Sequence, residues 1–358
     1  MRNFNEDDLR AAVAAGHVNE AQAATIMALA ADRHNQRQAL DGNDEPFELF
    51  RGFNEVFISI GIALVAAGWI GLAVIGGVQG AGVMALAGVL AWLGAEYFTR
   101  RRRMMLPSFL LTAFIVACAL LFAIFAFAGI ERPGKDLALC FAFATLIGGA
   151  FYWRFKVPFA WFAIGLMVIL ATLTSIGVLN YGNMTMVALA SPMALFDFGS
   201  GIVFPLVTLC LGMLGFAVAM RFDLSDPHRL SRRSSCAFWL HVLAAPAIVN
   251  TVAMSLFNSG IPAATVLLVI TILAIAVLAL VIDRRSFLVS AILYVWLLSR
   301  QALGEESDGI ALAPLVLLSL GFLIAYLGAS WTSLRGRIMR QLPNFPGKAQ
   351  LPPYAASA

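Results

Sequence analysis

Residues 107–130 read PSFLLTAFIVACALLFAIFAFAGI, a run of 24 residues without a single charged side chain. A transmembrane α-helix needs about 20 consecutive apolar residues to cross about 30 Å of hydrocarbon, so this run is long enough. Four arginines, Arg100–Arg103, lie shortly before it. An apolar run beside a basic cluster is typical of a membrane helix and its orientation signal. The stretch therefore predicts a helix that spans a membrane.

The composition of the whole chain agrees with this prediction. Of its 358 residues, 61% are hydrophobic and 12% are charged, whereas soluble domains have about 45–50% apolar and about 25% charged residues. A water-soluble chain of this size could not bury so much apolar surface in one core. The net charge of +4 does not indicate nucleic-acid binding, because the basic residues form short clusters beside apolar runs. The predicted partner is the lipid bilayer, with no nucleic acid.

Nine further apolar runs resemble the first. The predicted spans are 56–76, 80–98, 107–130, 137–153, 157–179, 201–220, 237–257, 261–282, 286–302 and 310–331. Their length and their lack of alternation exclude the strands of a membrane β-barrel. The sequence therefore predicts an all-α fold, a polytopic transmembrane bundle of about ten helices.

The distribution of Lys and Arg predicts the orientation. If the N-terminus is cytoplasmic, 21 of the 24 Lys and Arg residues fall on the cytoplasmic side. The other side receives only Arg132, Lys135 and Arg300. Because basic residues are retained on the cytoplasmic side, we expect both the N-terminus and the C-terminus there.

The chain divides into three predicted regions. Residues 1–50 are more polar and predict a cytoplasmic helical hairpin and linker; the apolar stripe on residues 1–40 favours self-association or a protein partner. Residues 51–335 form the ten-helix transmembrane domain. Residues 336–358 contain four prolines and predict a disordered cytoplasmic tail. Loop 180–200 is apolar for a solvated loop, and predicts either an interfacial helix or a re-entrant segment.

Ionisable and polar residues inside spans are where function is sought first. The segment FWLHVLAAPAIVN, residues 238–250, contains two of them, His241 and Asn250, and the candidate Pro246 lies between these two. The structural interpretation makes His241 an interfacial imidazole beside Trp239, and gives Asn250 an interhelical hydrogen bond. In the functional interpretation, a kink at Pro246 brings His241 and Asn250 into one site, because on a straight helix they point to opposite faces.

Two further acids have simpler explanations. Glu96 lies one turn before Arg100–Arg103, and we expect its carboxylate to pair with one of those arginines. Asp283 adjoins Arg284 and Arg285, and is interpreted as an ordinary loop acid.

Small residues predict close helix packing in three spans. They are Gly61, Gly68 and Gly71 in the first span, Ala87, Ala91 and Ala95 in the second, and Gly212 and Gly215 in the sixth.

No motif predicts a catalytic, cofactor-binding or metal-binding residue. The four cysteines, Cys118, Cys140, Cys210 and Cys236, have no CxxC or Cys/His spacing, so neither a zinc site nor a disulfide framework is expected.

Two segments carry a resemblance to known sequences. They are GHVNEAQAATIMAL at 16–29, followed by Gly68-Trp69 in the first span, and the stretch at 238–250. The chain resembles a family of uncharacterised bacterial multi-pass membrane proteins with a short helical N-terminal segment. The resemblance implies a location in the bacterial inner membrane and no particular activity.

Three functions remain under consideration. The first is a transporter or permease for a small neutral or lipid-like solute; its spans would divide into inverted halves, 56–179 and 201–331. The second is a non-catalytic scaffold or regulatory protein that acts through the N-terminal hairpin. The third is an intramembrane enzyme, which is disfavoured because only one of the four histidines lies in a span. A water-accessible cavity in the bundle would favour the first over the second.

Overall fold

The structure is a computed structural model. It describes residues 53–75, 80–127, 133–181, 192–226, 229, 231–303, 309–345 and 347–352, and scattered positions before residue 30. The chain divides into two compact units, Met1–Pro46 and Phe47–Ala358. In the first unit residues 11–13 are helical, but most of the predicted hairpin over 1–50 lies outside the described residues.

Ten α-helices follow one another in the described part of the second unit, and no strand occurs there. They are α1 (Phe53–Ile75), α2 (Ala81–Ala95), α3 (Met105–Phe127), α4 (Pro133–Phe155), α5 (Phe159–Tyr181), α6 (Val203–Ser225), α7 (Arg232–Asn258), α8 (Pro262–Ile282), α9 (Ser286–Leu303) and α10 (Gly309–Gln341). The predicted all-α bundle is confirmed, and its apolar helices make the chain a multi-pass membrane protein.

Among the described residues, nine helices are long and apolar enough to cross a membrane. The tenth, α9, has a shorter apolar part, Ser286–Leu297. Asp283, just before α9, is joined to Trp331 in the second half of α10 by a hydrogen bond of 2.6 Å. Since α10 returns to the end from which α9 starts, the two helices are antiparallel.

Helices α7 and α10 both extend beyond the predicted spans. Helix α7 begins at Arg232 rather than 237, because the Ser231 hydroxyl accepts a hydrogen bond from the Arg233 N–H and caps the helix. Helix α10 continues to Gln341, ten residues past the predicted end. Apolar runs mark only the part of a helix that lies in hydrocarbon, and both extensions lie in polar sequence.

In the first half of the bundle, α2 to α5 pack in sequence order and α1 packs on α3. The core includes Ala91, Ile115 and Phe151. Ala87, Ala91 and Ala95 are buried, as predicted. The prediction for the first span is wrong: a Cβ built on Gly61, Gly68 or Gly71 meets no atom within 4 Å, so these glycines face open space.

In the second half, α6 and α7 form the most extensive helix pair. A Cβ on Gly212 would lie 2.9 Å from the Ala247 Cβ, which shows how closely the two helices approach. The core between α7, α8 and α9 contains Val249, Leu268 and Tyr294. Here the prediction that small residues permit close packing is confirmed.

Helices α5 and α7 join the two halves. The Phe159 and Trp239 rings meet edge to face at 4.7 Å between centroids. The halves differ in arrangement, because α1 packs on α3 whereas α6 packs on α7. This difference gives no support to the inverted halves expected of a transporter.

The described part of loop 180–200 folds over the ends of α6 and α7. Two 3₁₀ turns, Pro192–Leu195 and Phe198–Ser200, hold it there. The Phe198 N–H donates to Ser255 Oγ at 3.0 Å, and the Asn258 amide donates to Asp197 at 2.9 Å. Residues 182–191 of this loop lie outside the described residues.

Part of the predicted disordered tail is folded. Residues 336–341 belong to α10, and Lys348–Gln350 form a 3₁₀ turn followed by buried Leu351. The buried Arg335 guanidinium donates to the Leu280 carbonyl at 3.1 Å and to the Pro352 carbonyl at 2.6 Å. The tail backbone thus supplies an acceptor to a buried charge, which fixes it against the bundle.

Candidate functional site

A buried ion pair lies where α6, α7 and the turn between α8 and α9 meet. Arg284 donates from Nε to Asp223 Oδ2 at 3.0 Å and from Nη2 to Oδ1. His241 Nε2 donates to the same carboxylate at 2.9 Å. Exposed fractions are 3% for Asp223, 0% for His241 and 6% for Arg284. The Asp223 carboxylate therefore accepts three hydrogen bonds away from water, two from Arg284 and one from His241.

Local structure explains why these side chains meet. Asp223 lies in the last turn of α6, and His241 lies three turns into α7, the helix that packs most closely on α6. Helix α8 ends at Asp283, which has a left-handed conformation with φ 58°. The Arg284 N–H then closes the helix on the Ala279 carbonyl at 2.9 Å. This reversal directs Arg284 into the bundle.

A second ion pair adjoins the first, because its acid, Asp283, directly precedes Arg284 in the chain. Asp283 pairs with Arg229 at 2.9 Å and accepts a hydrogen bond from Trp331 Nε1 at 2.6 Å. Burial and the positive charge of Arg284 lower the pKa of Arg229 below its ordinary value. Asp283 is therefore not the ordinary loop acid that was predicted. We call Asp223, Arg229, His241, Asp283 and Arg284 the ionic cluster; its two acids balance its two arginines.

The structure places His241 in the ionic cluster and keeps it apart from Asn250. Helix α7 continues through Pro246 without interruption, so the two residues remain about 13 Å apart along the axis. The His241 ring packs between Phe216 and Phe287, with centroids at 5.5 and 5.9 Å. The imidazole is completely buried inside the protein, and its interfacial depth in the membrane stays a prediction.

Asn250 is half-buried in the middle of α7. Its backbone carbonyl accepts a hydrogen bond from the Tyr294 hydroxyl of α9 at 3.3 Å. This contact joins the two helices through the backbone. The interhelical hydrogen bond predicted for the Asn250 amide is not found among the described residues.

Glu96 pairs with arginines, as predicted. Its carboxylate lies 3.5 Å from Arg100, one turn away, and 2.8 Å from Arg154 at the end of α4. Arg154 was not predicted as a partner. Spans two and four both end in basic residues on the same side, and that pattern could have indicated the contact.

An apolar cavity of about 360 Å³ lies between α2, α3 and α4. The lining includes Met84, Gly88, Trp92, Ile115, Phe122 and Phe143. It also includes Val89 and Leu93, whose side chains are 56% and 60% exposed on the outer face of α2. The cavity therefore opens on the surface that faces lipid. No sequence motif predicted it, because every residue in it is common in a membrane span.

A second pocket, of about 540 Å³, lies at the arginine-bearing end of α2. The described residues that line it are Leu93, Glu96, Tyr97, Arg100 and Arg101. Here the helix widens into a π-helix over Glu96–Arg101. Single π turns inside α-helices occur frequently at functional sites.

Eight residues in the described part of the chain have a buried side-chain N or O atom without a hydrogen-bond partner. They include His241, at Nδ1, and Glu55 near the start of α1, at both carboxylate oxygens. The described part of the chain contains no group of three or more His, Cys, Asp or Glu side chains that could hold a metal ion.

Comparison with known proteins gives no match. No protein-family model, no curated protein and no solved structure is similar to this chain. The two pockets and the ionic cluster are the features of the described structure that bear on function.

Proposed function

We propose that this chain is a transporter for a lipid-like molecule, whose apolar chain occupies the cavity between α2, α3 and α4. The observation that carries the proposal is the position of this cavity. It lies within membrane-spanning helices and opens through Val89 and Leu93 on their lipid-facing surface. A molecule dissolved in the bilayer can enter it sideways without crossing water.

The lining chemistry suits an alkyl chain. Trp92, Phe122 and Phe143 provide apolar aromatic surface, and Gly88 leaves space between them. Ligand cavities commonly have volumes of about 300–1,000 Å³, and this one falls in that range. A hydrated ion or sugar would lose its hydrogen bonds with water in this cavity, which disfavours polar substrates.

The ionic cluster does not favour an ion-coupled mechanism. Its two carboxylates are paired with Arg284 and Arg229, so the acids already have cationic partners. The contacts also join four segments at one end of the bundle. This supports a structural role for the cluster and leaves the cavity as the candidate binding site.

The proposal includes a location and an orientation. We infer a bacterial inner membrane from the resemblance of residues 16–29 and 238–250. We infer a cytoplasmic N-terminus and C-terminus from the 21 basic residues on that side.

Binding can be tested by photo-cross-linking in reconstituted vesicles. The probe is a phospholipid with a diazirine in its acyl chain, and adducts are mapped by mass spectrometry. We expect adducts on residues of the cavity, such as Trp92 and Phe122. Gly88→Leu should remove most of them because its side chain fills the cavity. Gly82→Leu is the matched control, since Gly82 is exposed on the same helix outside the cavity lining.

Transport can be tested in the same vesicles with a fluorescent phospholipid and a reductant that bleaches only the outer leaflet. We expect bleaching beyond one half of the signal in wild type and Gly82→Leu, and much less in Gly88→Leu. Binding without movement would contradict transport and favour the scaffold alternative. Adducts that are equally distributed over all helices would contradict a specific cavity.

A further inference from the structure

We infer that the cavity and the arginine-bearing end of α2 form one site for an anionic phospholipid, with the phosphate on Arg100 and Arg101. This inference rests on the proposed function and adds the class of headgroup. The occupant is a membrane lipid rather than a soluble anion, because an apolar cavity adjoins the basic pocket.

The two pockets adjoin at Leu93 of α2. Leu93 lines both the apolar cavity and the basic pocket. Arg100 follows Leu93 by two turns, or about 10 Å along the helix. The headgroup layer begins where the hydrocarbon ends and is about 5–7 Å thick on each side. An acyl chain beside Trp92 therefore continues into a headgroup at the level of Arg100.

The π-helix arranges the basic pocket. Tyr97, Arg100 and Arg101 lie four, seven and eight residues after Leu93, on the same face of the helix, and all three belong to the π-helix. Arg102 donates to the Tyr97 hydroxyl at 3.2 and 3.3 Å, and its guanidinium lies 5.7 Å from the Tyr97 ring centroid. Tyr97 is thus fixed by Arg102, which is not part of the pocket lining.

The charge of the pocket suits an anion. Glu96 is compensated by Arg154 at 2.8 Å, a shorter distance than the 3.5 Å to Arg100. The Arg100 side chain is 60% exposed and Arg101 is exposed. Among the residues described at this end of α2, one acid therefore faces three arginines, and the guanidinium groups of Arg100 and Arg101 are exposed to a ligand. Guanidinium groups bind phosphate through two parallel hydrogen bonds, which a single ammonium cannot do.

The experiment measures competition for the cross-linking probe in the cavity. Unlabelled phosphatidylglycerol and phosphatidylcholine, of the same acyl chains, compete with the diazirine phospholipid for adducts on Trp92. We expect phosphatidylglycerol to compete about tenfold better, since each basic residue at a membrane surface contributes attraction to anionic lipid. Arg100→Gln with Arg101→Gln should reduce this preference to near unity. Arg100→Lys with Arg101→Lys keeps the charge and should retain part of it.

The matched control is Arg233→Gln with Arg340→Gln. It removes two exposed arginines from the same end of the bundle, away from the basic pocket. We expect the preference of wild type in this control. An equal loss in the control would show a general surface attraction and overturn the inference. Inorganic phosphate that displaces the probe as well as phosphatidylglycerol would overturn it too.

The outcomes separate the inference from the proposed function. Adducts that remain sensitive to Gly88→Leu, but show no headgroup preference, would overturn the anionic site and leave the lipid cavity. Adducts insensitive to Gly88→Leu with both lipids would contradict the proposed function itself.

Discussion

At the scale of single residues, Asp223 and Arg284 depend on each other most. Both side chains are nearly inaccessible to water, and the charge of each one compensates the charge of the other. Asp223→Asn leaves the Arg284 charge buried without full compensation. We expect it to lower the free energy of unfolding by about 3–5 kcal/mol, as is usual when one partner of a buried pair is removed. Denaturant unfolding in detergent micelles measures this loss.

Two comparisons make the measurement specific. Glu96→Gln breaks a pair that is about one-third exposed, and should cost no more than about 1 kcal/mol. Asp223→Asn combined with Arg284→Met removes both charges, and should cost less than the sum of the two single variants. If the losses simply add, the pair is not coupled, and the structural role given to the ionic cluster is wrong.

The sequence alone could identify His241 but not its partners. A histidine inside an apolar run is conspicuous, and it was selected for that reason. Asp223 and Arg284 lie at the ends of apolar runs, where acids and arginines are ordinary. They come within 3.0 Å only because α6 packs on α7 and because the α8–α9 turn reverses over them. Such contacts are set by tertiary packing, which periodicity does not report for helices that are apolar on all faces.

At the scale of elements, the α6–α7 contact offers a direct test. A Cβ on Gly212 would lie 2.9 Å from the Ala247 Cβ and 3.4 Å from the Ile248 backbone nitrogen. Gly212→Ala must therefore push the helices apart, and we expect a loss of about 1–3 kcal/mol in unfolding free energy. Thermal unfolding in detergent, followed by circular dichroism, measures it.

Gly215 is the matched control one turn away on the same helix. Its Cβ would lie 3.7 Å from the Ala244 Cβ, an ordinary contact. Gly215→Ala should leave the unfolding temperature unchanged or raise it slightly, because alanine favours helix by up to about 1 kcal/mol. Equal losses at both positions would contradict the close approach at Gly212.

The helices themselves were predictable from hydropathy, because hydrocarbon thickness fixes the length of an apolar run. Every predicted span corresponds to a helix, and the start of α9 agrees with the prediction at residue 286. Helix ends outside the hydrocarbon were not predictable in this way. The start of α7 depends on the Ser231 cap, and the end of α10 lies among arginines. The apolar cavity was invisible because its residues match those of any lipid-facing surface.

At the scale of the whole molecule, the two halves perform different tasks in this proposal. The second half carries the ionic cluster. A folded part of the tail is held against this half by the hydrogen bond from Arg335 to the Pro352 carbonyl. The first half carries the apolar cavity and the basic pocket, next to helices with highly exposed apolar side chains such as Leu72 and Leu93. The half with the ionic cluster and the half with the apolar cavity are joined through α5 and α7, and their helices pack differently, unlike those of inverted repeats.

The number of crossings decides on which side of the membrane the end of α10 lies. If α9 crosses the membrane, Arg101 and Arg340 are on one side and Ser259 is on the other. If α9 does not cross, Arg340 is on the same side as Ser259.

We expect Arg101→Cys and Arg340→Cys, in a chain without the four native cysteines, to react with a membrane-impermeant thiol reagent only after cells are permeabilised. Ser259→Cys should react in intact cells, because the Lys and Arg distribution places it outside. All three residues are exposed, so a lack of reaction reports the membrane barrier and not burial. Reaction of Arg340→Cys in intact cells would mean nine crossings, and would place the end of α10 on the side opposite to the α8–α9 turn. The 2.6 Å hydrogen bond between Asp283 and Trp331 holds the second half of α10 at that turn, which argues for ten crossings.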